Sequence, residues 1–423
     1  MKVFKFGGAS VNSIERIQNV ANIIRHYGDE SLVIIISAIG KTTNALEKVA
    51  EVFYAGNKDE ALNLFNVVKQ QHLNTAKYLL VTEANACNKH LNDFFTEVEW
   101  LLHDKPVRDF DYYYDQIVCV GELLSTSIIS HYLNELSIKN NWKDVRDIIK
   151  TDNNFRDAGV DWTKTALMLG TMMKAQNENQ QIIVTQGFIG CTDDNESTTL
   201  GREGSDYSAA IFANVLKASS LSIWKDVPGM LSGDPKVFPS VVRLEQVPYR
   251  EAIELAFYGA SIIHPKTIQP LEQGGTTLRI RSFVDPEAPG TEVGPFAALT
   301  PEVPCWIRHE NQVLIEVSSR DLSFLSEGHL SEVYRIFAEE GLLVRAAQHT
   351  ALSTRFAVND DRVAVPRALE RLNTPYRATA EYGLRLTTVR RPDAESLATL
   401  LAGGPLRMVL RNHEVAQVLT APN

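Results

Sequence analysis

Chemistry in this chain rests first on a lysine and two glycines near its start, Lys5-Phe6-Gly7-Gly8-Ala9-Ser10, and on a second stretch, Leu200-Gly201-Arg202-Glu203-Gly204-Ser205-Asp206. In the first, glycines let backbone N–H groups approach an anion closely. A helix N-terminus just beyond adds partial positive charge, and the lysine supplies a full one. That is a phosphate-binding design, whose competing reading is a plain tight turn. The second stretch carries an arginine and an aspartate, so it can bind an anion and also hold a cation. A third element is Gly121-Glu122, which interrupts the apolar face of a helix expected over Asp115 to Leu136. A glutamate on the buried side of a helix needs a cationic partner or a ligand.

The elements that must position these residues follow from hydrophobic period. Met1 to Phe4 reads as a strand, and Ile14, Ile17, Val20, Ala21 and Ile24 fall at helical spacing, with Asn12 and Glu15 as a capping pair. Leu32 to Ser37 has the pattern of a parallel strand buried on both faces, opening into the polar loop Ala38 to Asn44. In open α/β sheets ligands collect at that end of the strands. A helix-rich excursion follows to His103. Ile182 to Thr185 and Leu221 to Trp224 are expected strands, with a polar loop over Cys191 to Thr199 and a helix over Tyr207 to Lys217. A helix over Tyr249 to Tyr258, the helix start at Pro265 and a last strand over Thr277 to Phe283 complete an α/β sandwich with a mainly parallel sheet.

Seven prolines and glycines between Asp285 and Pro304 mark a linker. Beyond it, short strands and two-turn helices run in an order close to two βαββαβ units of ferredoxin-like type. Two domains result, residues 1–295 and 296–423. The length of 423 residues also favours more than one core.

A net charge of −10 without a basic stripe argues against nucleic acid. The longest largely apolar run, Leu32 to Ile39, falls well short of the ~20 residues of a membrane helix. The first residues lack signal-peptide features, so a cytoplasmic location is expected. The four cysteines lie far apart with no Cys-x-x-Cys, and the ten histidines include no His-Glu-x-x-His, so neither a disulfide framework nor a protein-held metal is expected. Before residue 241 the chain has 17 Lys and 6 Arg; after it, 1 Lys and 18 Arg. The two cations differ in hydrogen-bonding geometry, and so abrupt a switch inside the first domain suggests segments of different ancestry or design. Packing between the last helices and the earlier sheet would be its weak spot.

Taken together, the stretches Lys5 to Ser10, Ser37 with Thr43-Asn44, Gly121-Glu122, Gln186-Gly187-Phe188-Ile189-Gly190, Gly201 to Ala209, Trp224 to Gly229 and His264-Pro265-Lys266 resemble the aspartate kinases of the amino-acid kinase superfamily. The later part is similar to that family's paired ACT regulatory modules. The resemblance implies transfer of the γ-phosphoryl of ATP to the β-carboxylate of L-aspartate, the first step towards lysine, threonine and methionine, with Mg²⁺ accompanying the nucleotide.

It also implies residue roles. Lys5 would lie beside the transferring phosphoryl with Asp206 holding it, while Gly7, Gly8 and Ser10 would meet phosphates. Arg202 would bind the substrate α-carboxylate and Glu122 its ammonium group, with Ser37, Thr43 and Ser205 around it. Lys225, Asp226, Lys236 and Lys266 would form the nucleotide side. Three positions depart from the pattern: Lys236 replaces an arginine, Leu231 a tyrosine near the adenine, and Glu203 a glycine. A carboxylate beside phosphates is repulsive, so Glu203 is expected to point away or towards a cation. Feedback control by lysine or threonine at a dimer interface is implied for the ACT part, where residues 318–325 and 348–353 occupy the relevant regions. The alternatives are a kinase for another amino-acid carboxylate such as glutamate, and a catalytically idle amino-acid sensor.

Overall fold

The computed structural model describes residues 1–27, 30–175, 182–260, 262–321 and 323–422. They form two compact units: residues 1–230, 245–252 and 263–298, and residues 231–244, 253–262 and 299–423. The division is therefore not one cut at the proline-rich stretch, because two earlier segments belong with the second unit.

In the first unit the strands are β1 (Lys2–Phe6), β2 (Leu32–Ile36), β3 (Asn141–Trp142), β4 (Ile182–Gln186), β5 (Ile189–Cys191), β6 (Ser197–Thr199), β7 (Ser220–Lys225), β8 (Gln246–Pro248), β9 (Thr277–Ser282) and β10 (Thr291–Gly294). Eight of them make one sheet in the order β3-β4-β2-β1-β7-β9-β10-β8, parallel throughout except for β9 with β10. The order reverses at β1 and β7, so the loops leaving β1, β2, β4 and β7 gather at a topological switch point. β2 is Leu-Val-Ile-Ile-Ile and wholly buried, as a strand covered on both faces must be.

The helices up to the linker are α1 (Ile14–His26), α2 (Thr42–Tyr54), α3 (Lys58–Leu79), α4 (Ala84–His103), α5 (Phe110–Val118), α6 (Val120–Glu135), α7 (Trp162–Ala175), α8 (Gly204–Val215), α9 (Tyr249–Tyr258), whose residues from 253 onwards count with the second unit, and α10 (Pro265–Gly274). Several differ from the sequence expectation for physical reasons. Ser13, not Asn12, caps α1, its hydroxyl accepting from Arg16 N at 3.3 Å, because a short 3₁₀ turn over Gly8–Val11 intervenes. The single helix expected over 115–136 is two helices broken at Cys119, while apolar spacing runs on through the break. The loop 191–199 closes into a hairpin of β5 with β6. Strand β9 is not the last: β10, inside the expected linker, adds to the same sheet. Packing across the Lys-to-Arg switch is close, with Phe283 edge-on to Phe6 at 6.3 Å and Asn19 donating to Phe283 O at 2.9 Å.

The second unit adds β11 (Cys305–Ser318), α11 (Glu327–Glu339), β12 (Val344–His349), β13 (Ser353–Asn359), α12 (Ala364–Leu372), β14 (Arg377–Arg390), α13 (Ala394–Leu401), β15 (Leu406–Arg411) and β16 (Val415–Thr420). They form an antiparallel sheet in the order β12-β13-β11-β14-β16-β15. Strands β11 and β14 are 14 residues each and serve both modules. Beyond the bulge between His309 and Gln312, residues 312–318 pair with 377–384 in a complete βαββαβ unit. Before it, residues 305–309 pair with 386–390 and lend a strand to the unit built from β14, α13, β15 and β16. Residues 377–390 thus form one continuous strand where the sequence pattern suggests short ones, and β16 closes the sheet between β14 and β15.

Candidate active site

Parallel register decides the centre of the site. Lys5 pairs with Ile223 and Phe6 with Trp224, so Lys5 and Lys225 project from one face of the sheet while Phe6 and Trp224 project from the other. On that other face the Phe6 and Trp224 rings stack at 6.0 Å. On the first, α8 packs against β1 and presents Asp206 from its opening turn. Lys5 Nζ lies 2.6 Å from Asp206 Oδ1 and Lys225 Nζ 3.3 Å from Oδ2. Burial alone would raise the Asp206 pKa, but the two ammonium groups outweigh it and hold the carboxyl below the usual range.

These three residues lie on a cavity of about 570 Å³ that also takes in Gly8, Ser37, Thr43, Glu122, Arg202, Glu203 and Ser205. Gly8 fits where nothing larger would: a Cβ there would come within 2.8 Å of Ala38 O and 3.0 Å of Gly40 O. Gly121 does the same for α6, where a Cβ would meet Ala38 Cβ at 3.2 Å. That approach brings Glu122 under the 38–44 loop, and Ala38 N donates to its Oε1 at 3.2 Å. Glu122 Oε2 is buried and has no partner. Burial pushes the carboxyl up to about 8 despite that hydrogen bond and the field of Lys5. Glu122 Oε2 thus has no partner among the described residues, and a cation brought to it would draw the carboxyl to its ionised form.

Arg202 is exposed at the cavity rim and makes no ion pair with a described residue. Glu203, beside it, adopts φ 53°, a left-handed conformation that favours glycine. It does not point away: it lines the cavity, and its Oε2 is buried without a partner.

Other expected residues lie elsewhere. Ser10 is buried, its hydroxyl donating to Trp224 O at 3.4 Å. Gly7 stands behind Lys5, a Cβ on it falling 3.4 Å from Lys5 Nζ, and does not line the cavity. Asp226 pairs with Arg16. Lys266 Nζ sits 2.5 Å from Asp157 Oδ1 and donates to Leu200 O at 3.2 Å. Lys236 belongs to the second unit. Conversely Glu47, Tyr114 and Arg156 line the cavity without having been expected there. Arg156 arrives on a left-handed turn, φ 70°, pinned by Asp115, which accepts from Arg156 N at 3.0 Å, Thr199 N at 2.8 Å and Thr199 Oγ1 at 2.7 Å. Burial raises Asp115 to about 6 against those bonds. No local pattern marks this contact, since its ends are 84 residues apart.

All four cysteines are free and buried. Among the described residues no group of three His, Cys, Asp or Glu could hold a metal, and no helix is long and apolar enough to cross a membrane.

The site can thus hold phosphate against paired lysines and an α-amino acid between Glu122 and Arg202. Residues 1–282 match the amino acid kinase family. The chain is 29% identical to lysine-sensitive aspartokinase 3 of Escherichia coli over 92% of this chain and 86% of that one. It is 30% identical to chloroplastic aspartokinase 2 of Arabidopsis thaliana over 88% and 68%. Crystal structures of E. coli aspartokinase III superpose on all of this chain and 96% of theirs at 26% identity. The TM-score is 0.84 for the form with lysine and aspartate and 0.79 for the form with aspartate and ADP.

Proposed function

The chain belongs to the amino acid kinase family and is an aspartokinase within it, and on that footing we propose how its own residues move the γ-phosphoryl of ATP onto the β-carboxylate of L-aspartate. The acceptor is already an anion, so no general base is needed; positioning and charge neutralisation do the work. The observation that carries the assignment is the buried Lys5–Asp206–Lys225 cluster sharing one cavity with the unpartnered Glu122 carboxylate and the unpaired Arg202.

Lys5, held by Asp206, faces the phosphoryl in flight and neutralises charge on its oxygens; Lys225 does so for the remaining phosphates. Glu122 takes the ammonium group of aspartate and Arg202 its α-carboxylate in a two-pronged contact. Ser37, Thr43 and Ser205 supply hydroxyls between them. Asp226 and Lys266, each engaged by a protein partner, support the loops rather than touch phosphate. Asp206 is engaged by two lysines, so the cavity carboxylate that would meet a nucleotide-borne Mg²⁺ is Glu203, whose Oε2 has no partner. When bound, the ion neutralises phosphate charge.

The first unit then carries catalysis and the second regulation, with lysine as effector and a homodimer formed through the second unit. The E. coli relative named lysine-sensitive supports this reading. A cytoplasmic location goes with it. Aspartyl-hydroxamate formation from ATP tests the assignment: aspartate is expected to support it, glutamate not, and lysine to suppress it.

A further inference from the structure

The second unit contains a cavity of about 460 Å³ that the kinase reaction does not use, in the size range of small-molecule sites. Its floor is the outer half of the antiparallel sheet. Arg308 on β11 pairs with Thr387 on β14, which pairs with Val418 on β16. Arg385 is two residues from Thr387 and pairs with Thr420, so both arginines stand on one face as diagonal neighbours. The walls are Phe238 and Pro239 from the 231–244 segment, Trp306, and Leu400 of α13.

The two guanidinium groups are not equivalent. Arg385 Nε reaches both Glu310 oxygens at 3.0 Å. Arg308 makes no ion pair with a described residue: its Nε is buried without a partner, and its guanidinium carbon lies 4.8 Å from the centre of the Phe238 ring. Burial and the nearby Arg385 charge lower the Arg308 pKa against the opposing field of Glu310. The fold thus keeps two like charges side by side in a partly apolar cavity, an arrangement that an anion between them would relieve. Of the other polar groups lining it, Asp393 accepts from Ser396 N at 2.7 Å and Ser396 Oγ accepts from Asp393 N at 2.9 Å, while Glu395 and Thr399 are exposed on α13. The walls are fixed, since Trp306 N donates to Ser232 O at 2.6 Å and Phe238 packs 5.4 Å from the Trp306 ring.

We propose that this cavity is a second ligand site, which takes a small organic anion, one carboxylate or phosphate on an apolar body, with the anion between Arg308 and Arg385 and the body against Trp306, Phe238 and Leu400.

Calorimetric titration of the full chain with phenyl phosphate, 3-phenylpropionate, inorganic phosphate and benzylamine tests it. One or both aromatic anions should bind, which of them telling phosphate from carboxylate; inorganic phosphate should bind at least tenfold more weakly and benzylamine not at all. Arg308→Gln and the cavity-filling Thr399→Phe should each weaken binding tenfold or more while leaving aspartate-dependent ATP turnover unchanged. The proposal is overturned by absence of binding of both aromatic anions, by equal binding of benzylamine or inorganic phosphate, or by unchanged affinity in both folded variants. The readout is binding to the second unit, so it stands or falls separately from the kinase roles.

Discussion

Lys5 Nζ lies 2.6 Å from Asp206 Oδ1, and both side chains are more than nine-tenths buried. A buried pair of this kind is held less for stability than for placement, since desolvation offsets much of its attraction. Here it fixes an ammonium group at the end of the central strand, next to Lys225.

Removing the carboxylate therefore has a large effect. Asp206→Asn leaves two lysines facing one another in a buried site, and stability should fall by about 3–5 kcal/mol in urea unfolding. The pH sign follows from the lowered pKa. Asp206 contributes stability above the ordinary aspartate value of 3.8, and that contribution is lost as pH falls below it towards the folded value. An acid-unfolding curve of the variant should lack that component.

Glu122 makes the opposite prediction. With its pKa at about 8 it is protonated at neutral pH in the free protein, yet the ammonium group of aspartate prefers it ionised. Aspartate affinity should rise as pH rises towards 8 and level off above it. Glu122→Gln should bind aspartate weakly with no such slope. For the fold alone, a raised carboxyl pKa means stability declines between pH 4.5 and about 8, and Gln removes that decline. Calorimetric titrations at pH 6.5, 7.5 and 8.5 and matching melts check both.

Gly8→Ala should impair the site without touching a charge. Its Cβ would press on two backbone carbonyls, Ala38 O at 2.8 Å and Gly40 O at 3.0 Å, neither able to swing aside. Overpacking of this kind costs about 1–3 kcal/mol. A lowered melting temperature together with a raised KM for ATP is expected; a wild-type melt would count against the close approach.

Glu203 separates a role from mere tolerance. Glu203→Gly removes the left-handed strain, worth about 1–2 kcal/mol, while loosening the unfolded chain, so stability should change little. If its carboxylate approaches the nucleotide's Mg²⁺, half-saturating Mg²⁺ should rise several-fold at fixed ATP. An unchanged Mg²⁺ curve would remove that role.

Much of this site was legible because its parts are local. A lysine ending an apolar run and a glycine loop opening a helix define Lys5 and Asp206 from short windows, and parallel register does the rest. What escaped the sequence depends on distant partners. Asp115 reads as a helix residue until Thr199 and Arg156 fold over it. Strand β10 hides among prolines because its identity comes from pairing with β9, not from propensity. The break at Cys119 leaves apolar spacing intact and so gives no signal. Lys266 and Asp226 carry the right chemistry for phosphate, but geometry commits each to a nearby partner.

The most direct test of the account is the aspartate-dependent ATP turnover of Lys5→Ala, measured on protein shown to be folded. With the ammonium group gone from beside the transferring phosphoryl, kcat should fall by roughly 10²-fold or more, while aspartate still binds between Glu122 and Arg202. Turnover at the wild-type rate would contradict the role assigned to Lys5.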